Sequence, residues 1–174
     1  MLEMGQGASQ ADARRMELEK LEREGRMDLR SALELLSLYQ RLNMEAHFMG
    51  MAGNFMASSN MPADVFATLG QMFGSARKWD LAGAAMRRYL EKNAGNYRAW
   101  IDLGCAEVGC GRQAEAMAAL TRAVSVGGDP AREILRKDTR FSPLWPRADF
   151  KNLVVPPAPV GQPLSPALKP FLRL

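Results

Sequence analysis

The 174-residue sequence holds a single histidine, His47, and two cysteines, Cys105 and Cys110. A Ser-His or Cys-His relay needs a base beside its nucleophile, and a zinc site needs several His or Cys ligands, so one histidine supports neither within one chain. Five residues apart in one expected helix, the two thiols point to different sides. That placement argues against a bridge and leaves both as small packing residues. Met44, Met49, Met51, Met56 and Met61 cluster around His47. Thioethers are soft ligands that suit Cu(I), yet the same side chains fill irregular gaps between helices. Packing is the preferred reading, and a Met-rich copper-binding protein is the remotest alternative. Gly50/Gly53 and Gly109/Gly111 lack the spacing and the preceding strand of a phosphate-cradling loop, and carboxylate pairs fall only on charged helix faces. These residues lead us to expect no enzyme, no metal and no cofactor.

Helices must position whatever function remains. Hydrophobic residues make up 47% and charged residues 24%, the mix of a soluble folded chain, while Ala and Met are plentiful and aromatics reach only 7%; that balance favours helix over strand. The formal charge of +4 is spread along the chain. Without a block of like charges, or cations interleaved with aromatics, nucleic acid is not an expected ligand. The opening MLEMGQGASQADARRMELEK lacks the apolar run of a secretory signal, and no later stretch could span a bilayer. With no disulfide framework, a cytoplasmic location is expected; the alternative is the soluble part of a membrane-anchored or exported protein, should the chain be a fragment.

Internal periodicity is the main signal. Phe66, Leu69, Gly70, Ala82, Met86 and Tyr89 recur as Trp100, Leu103, Gly104, Ala116, Leu120 and Ala123, every pair 34 positions apart. One further interval back, Leu35, Tyr39, Phe48 and Phe55 stand opposite Leu69, Phe73, Ala82 and Tyr89. Each copy has the apolar spacing of two helices joined by a short turn. Gly104 and Ala116 would let two backbones approach closely, and Gly109 and Gly111 flank a turn where a residue of positive φ ends the first helix. No single hairpin can bury its stripe alone, so neighbours must stack.

Trp100, Leu103 and Gly104, followed by Ala116, Leu120 and Ala123, closely resemble the signature of the tetratricopeptide repeat family. Glu107 stands where that signature has Tyr, and Leu120 where it has an aromatic. The resemblance implies an all-α fold, an α-solenoid of about three helix-turn-helix repeats (29–62, 63–96 and 97–130). Residues 1–28 are expected to form a charged capping helix, with Ser9 as N-cap of a helix over 10–25, Glu19–Arg23 and Glu22–Arg26 pairs on its wet face, and Leu18 and Leu21 as the stripe of a half-repeat. After Pro130, a helix carrying Ile134 and Leu135 and a packing segment to residue 155 should close the array. There Phe141/Leu144 and Phe150/Leu153 echo each other, and Trp145 packs. Residues 156–174 are Pro-rich and expected to be extended.

The resemblance further implies a protein-interaction module whose concave face comes from the first helix of each pair. The residues placed there are Arg30, Glu34, Ser37 and Arg41, then Asp64, Thr68, Gln71 and Ser75, then Arg98, Asp102 and Cys105. Thr68 and Asp102 replace the amides and cations with which some relatives grip a terminal carboxylate, so an extended segment held partly through its backbone is the expected ligand. The partner is another protein or peptide, with no direct membrane insertion. Alternatives are self-association through the tail or groove, or an accessory role in a larger polypeptide.

Overall fold

A computed structural model describes residues 3–155; the Pro-rich segment 156–174 lies outside the described residues. Those residues are helical throughout, without strands: α1 (Glu3–Arg23), α2 (Leu29–Arg41), α3 (Glu45–Ala57), α4 (Ala63–Ser75), α5 (Trp79–Leu90), α6 (Tyr97–Gly109), α7 (Gln113–Lys137), a 3-10 segment (Thr139–Leu144) and α8 (Ala148–Val154). None of these helices is long and apolar enough to cross a membrane. The starts of α2, α4 and α6 fall at 29, 63 and 97, and those of α3, α5 and α7 at 45, 79 and 113, so the 34-residue period of the sequence is also the period of the helices.

One turn design enforces that period. Asn43, Arg77 and Gly111, again 34 apart, adopt left-handed backbone with φ of 56°, 56° and 74°. At each, the next residue's N–H reaches back to a carbonyl of the ending helix: Met44 to Tyr39 (2.8 Å), Lys78 to Phe73 (2.8 Å) and Arg112 to Glu107 (2.9 Å). The turn residue itself donates to Gln40, Gly74 or Val108. These two bonds define the Schellman stop, which satisfies carbonyls that a helix end leaves orphaned. Helix starts are marked by side-chain caps where the chain supplies them: Asp28 accepts from the Ser31 N–H (2.7 Å), and Asn96 from those of Arg98 and Ala99.

The chain divides into two compact units, one up to Met61 and one from Pro62. In the first, α1 packs on α2 and α2 on α3, burying Leu18, Leu35, Leu36, Tyr39, Phe48 and Ala52. The expected helix over 10–25 starts earlier, at Glu3, so Ser9 lies within it rather than at its start. The expected i,i+4 pairs also give way. The Glu19 carboxylate accepts from Arg15 (2.6 Å) and from the Tyr39 hydroxyl (3.1 Å), leaving Arg23 to donate to the Glu19 carbonyl. Because α1 ends at Arg23, Arg26 is off the helix and pairs with Glu24 instead.

In the second unit α4, α5, α6 and α7 pack each on the next. Met86, Leu90, Ala99, Leu103 and Ala119 form one buried cluster. A larger one runs from Ile101, Ala116 and Leu120 through Leu135 to Phe141, Leu144, Phe150 and Val154. A Cβ on Gly104 would lie 2.5 Å from the Leu120 Cδ2, which is the close approach its small size permits. α7 breaks at Gly128 (φ 57°, ψ −136°) and resumes through Pro130, whose missing N–H is harmless in a first turn. Ala131 and Leu135 of the resumed stretch are fully buried. Of the two echoed C-terminal pairs, Phe141 and Leu144 are buried as expected. In the second, Val154 rather than Leu153 is the buried partner of Phe150, and Trp145 meets Phe150 edge-on at 5.2 Å.

Candidate peptide groove

The site residues read from the sequence separate between the two units. In the first, Arg30 and Arg41 are exposed at opposite ends of α2, and Ser37 is half-buried. Glu34 is already engaged: both its oxygens accept from Arg14 of α1 at 2.8 Å, which holds its carboxyl below the usual range. It was expected to face a ligand and instead ties two helices together. The methionines at 44, 49, 51, 56 and 61 are all half-buried, and His47 is exposed with its ring 5.1 Å from that of Tyr39.

In the second unit the structure brings Gln71, Arg98 and Asp102 together around two adjoining clefts of about 290 and 410 Å³. Both clefts share Gln71, Met86, Asp102 and Arg140. Ser75 and Cys105 line the first cleft, and Arg98 and Ile134 the second. Gly70, Gly74, Ala82 and Ala106 give the first cleft a lining of small apolar residues. Asp64 and Thr68 take no part in either lining: Asp64 is exposed in the first turn of α4, and the Thr68 hydroxyl donates to the Asp64 carbonyl (3.1 Å).

Arg140 is the groove residue that sequence reasoning missed. It comes from the 3-10 segment, outside the 34-residue period, where repeat arithmetic has no purchase. Asp138 fixes it: the carboxylate caps the Arg140 N–H (3.0 Å) and accepts from the guanidinium at 2.5–3.0 Å. Burial pushes the Asp138 pKa up, but these hydrogen bonds outweigh it and hold the carboxyl below its ordinary value. Asp102 differs. Burial raises its pKa more than the charges of Arg140 and Arg98 lower it, with Asp138 adding repulsion. Burial likewise pushes the Cys105 thiol up, which removes the thiolate a nucleophile would require.

A second polar feature lies deeper. Glu107 is only 1% exposed, yet it accepts from Arg87 of α5 and from Arg112 (2.6 Å) in the turn after α6. Arg112 also reaches Asp80 of α5 (2.6 Å), and the Cys110 thiol lies 3.4 Å from the same carboxylate. The group satisfies its own charges, and Glu107 and Arg87 also border a separate open cleft of about 400 Å³ with Trp100, Leu103, Glu115 and Arg122. Its sequence signal is slight: an acid at the position that Phe73 and Tyr39 occupy one and two periods earlier.

No protein-family model matches this chain, and neither a curated protein nor a solved structure matches it.

Proposed function

We propose that the chain is a tetratricopeptide-type interaction module that binds an extended peptide, or an extended segment of a partner protein, along the groove of the C-terminal unit. The observation that carries this reading is the ring of Gln71, Arg98, Asp102 and Arg140 around a floor of small and apolar side chains. An extended backbone presents N–H and C=O groups at regular spacing, which an amide, a carboxylate and two guanidinium groups can meet in both senses. The floor admits small apolar side chains between those contacts. A groove fixed in advance by packed helices spends little binding energy on its own ordering. The 34-residue recurrence of helix starts and Schellman turns supports the repeat-family assignment.

The test is an array of extended peptides probed with the full chain and with a Gln71→Ala/Arg98→Ala variant. We expect peptides that bind the parent and lose at least tenfold in affinity with the variant, at unchanged melting temperature, since neither side chain is buried. Equal binding by both proteins would remove the groove from consideration.

A further inference from the structure

The groove holds one carboxylate that no cation grips directly, although Arg140 and Arg98 lie near enough to act on its charge. Asp102 is half-buried and accepts no hydrogen bond from any described residue, whereas its neighbour Asp138 is saturated by Arg140. A cation is the group that such a carboxylate would bind best, because pairing offsets the desolvation it has already suffered.

The segment PPAPVGQPLSPALKPFLRL, residues 156–174, carries that charge. Lys169 and Arg173 are its only charged side chains, and it contains no acid. It holds six of the chain's ten prolines, interspersed with Ala and Leu. Proline-rich chains prefer the extended polyproline conformation, so less entropy is lost when one is laid in a groove. Its point of departure is also favourable. The carbonyls of Leu153 and Val154 accept from Arg132 and Arg136. These two residues share one stretch of α7 with Ile134, part of the wall of the second cleft, but lie on the opposite face of the helix, so the segment must round α7 to enter the groove. At ~3.1 Å per residue the segment reaches on the order of 60 Å, ample to run from there along the groove.

We propose that residues 156–174 occupy the groove of their own chain, with Lys169 or Arg173 paired to Asp102, so that an external peptide must displace them. The proposal rests on the groove reading above. It names the regulation of that site: intramolecular competition that raises the threshold for partner binding.

The experiment is hydrogen–deuterium exchange of the full chain, read on fragments covering 156–174, with the synthetic peptide of that sequence as the unprotected reference. Exchange in the parent should be at least tenfold slower than in the peptide and independent of protein concentration. Asp102→Asn and, separately, Lys169→Ala/Arg173→Ala should each return it towards the reference rate. The second variant alters nothing in the helical core, so its result stands even if the first were to disturb folding. Exchange at the peptide rate in the parent overturns the proposal, as does protection that survives the tail variant. Protection that grows with concentration alongside a doubled mass assigns the groove to a second copy and also overturns it. If the peptide array finds groove-dependent ligands while the segment exchanges freely, only this inference falls. If the segment is protected but no peptide binds even the tail variant, the partner-binding reading falls instead.

Discussion

Glu107 sets the clearest residue-scale question, since a charged side chain at 1% exposure must be matched or it would not stay folded. The match comes from two arginines that remain partly in water, Arg87 at 50% and Arg112 at 35% side-chain exposure. Removing the acid therefore leaves the arginines able to rehydrate, and the loss is that of two charge-assisted bonds and a void. We expect Glu107→Ala to cost about 2–3 kcal/mol in urea unfolding, the scale of lost hydrogen bonds to charged groups, and Glu107→Gln to cost less because it keeps the shape. A Glu107/Arg112 double-mutant cycle should return a coupling on the order of 1 kcal/mol or more; additivity would mean that Arg112 serves only Asp80. Residues of this kind were the least legible in the sequence. Glu107 stood out only as an interruption of an aromatic series, because its partners lie 20 positions before it and 5 after. The pairing of Glu34 was hidden for the same reason, its partner Arg14 being on another helix.

Elements were far more legible, because a 34-residue period fixes helix length, turn length and packing partner together. What the period did not carry was anything outside it: the start of α1 at Glu3, and the 3-10 segment that delivers Arg140. The recurring turn makes a prediction in both directions. Arg77 and Gly111 hold the same left-handed position, but only glycine does so without a Cβ penalty. Arg77→Gly should therefore stabilise by roughly 0.5–1 kcal/mol, and Gly111→Ala should destabilise by about 1 kcal/mol, both read from denaturant midpoints. Two glycines that admit close helix approach separate in another way. A Cβ at Gly70 would meet the Met86 Cε, the end of a flexible chain, while one at Gly104 would meet both Cδ2 (2.5 Å) and Cγ (2.8 Å) of Leu120. Gly104→Ala should cost about 1–3 kcal/mol by overpacking and Gly70→Ala distinctly less. Equal costs would mean that Leu120 yields as readily as the thioether.

At the scale of the molecule, stability should depend on pH with opposite signs at its two ends. Hydrogen bonds to cations or backbone N–H groups hold Asp28, Glu34, Asp80, Asp138 and Asp149 below their ordinary values, and Lys137 and Arg136 bring Glu133 down to about 2. A carboxylate with a lowered folded pKa adds stability above its unfolded value, near 3.8 for Asp and 4.5 for Glu, and loses it as pH falls towards the folded one. Most of these groups are exposed, so screening keeps the acid limb shallow. Asp102 opposes them: burial raises its pKa, so its charged form carries a penalty above the folded pKa, and in the Lys169→Ala/Arg173→Ala background, where no tail cation offsets that charge, Asp102→Asn should raise the neutral melting temperature while leaving the strongly acidic one unchanged. Tyr39 governs the alkaline limb of the first unit. Burial, reinforced by the charge of Glu19, pushes its phenol from 10.0 up to about 12. The neutral phenol is thus favoured by the fold, and its contribution is complete below pH 10 and lost as pH rises towards 12. Melting followed by exchange in each unit should show residues 29–57 loosening with alkali over that window, with Tyr39→Phe flattening the loss. If the variant keeps the full alkaline slope, the limb arises from other groups and Tyr39 is a spectator.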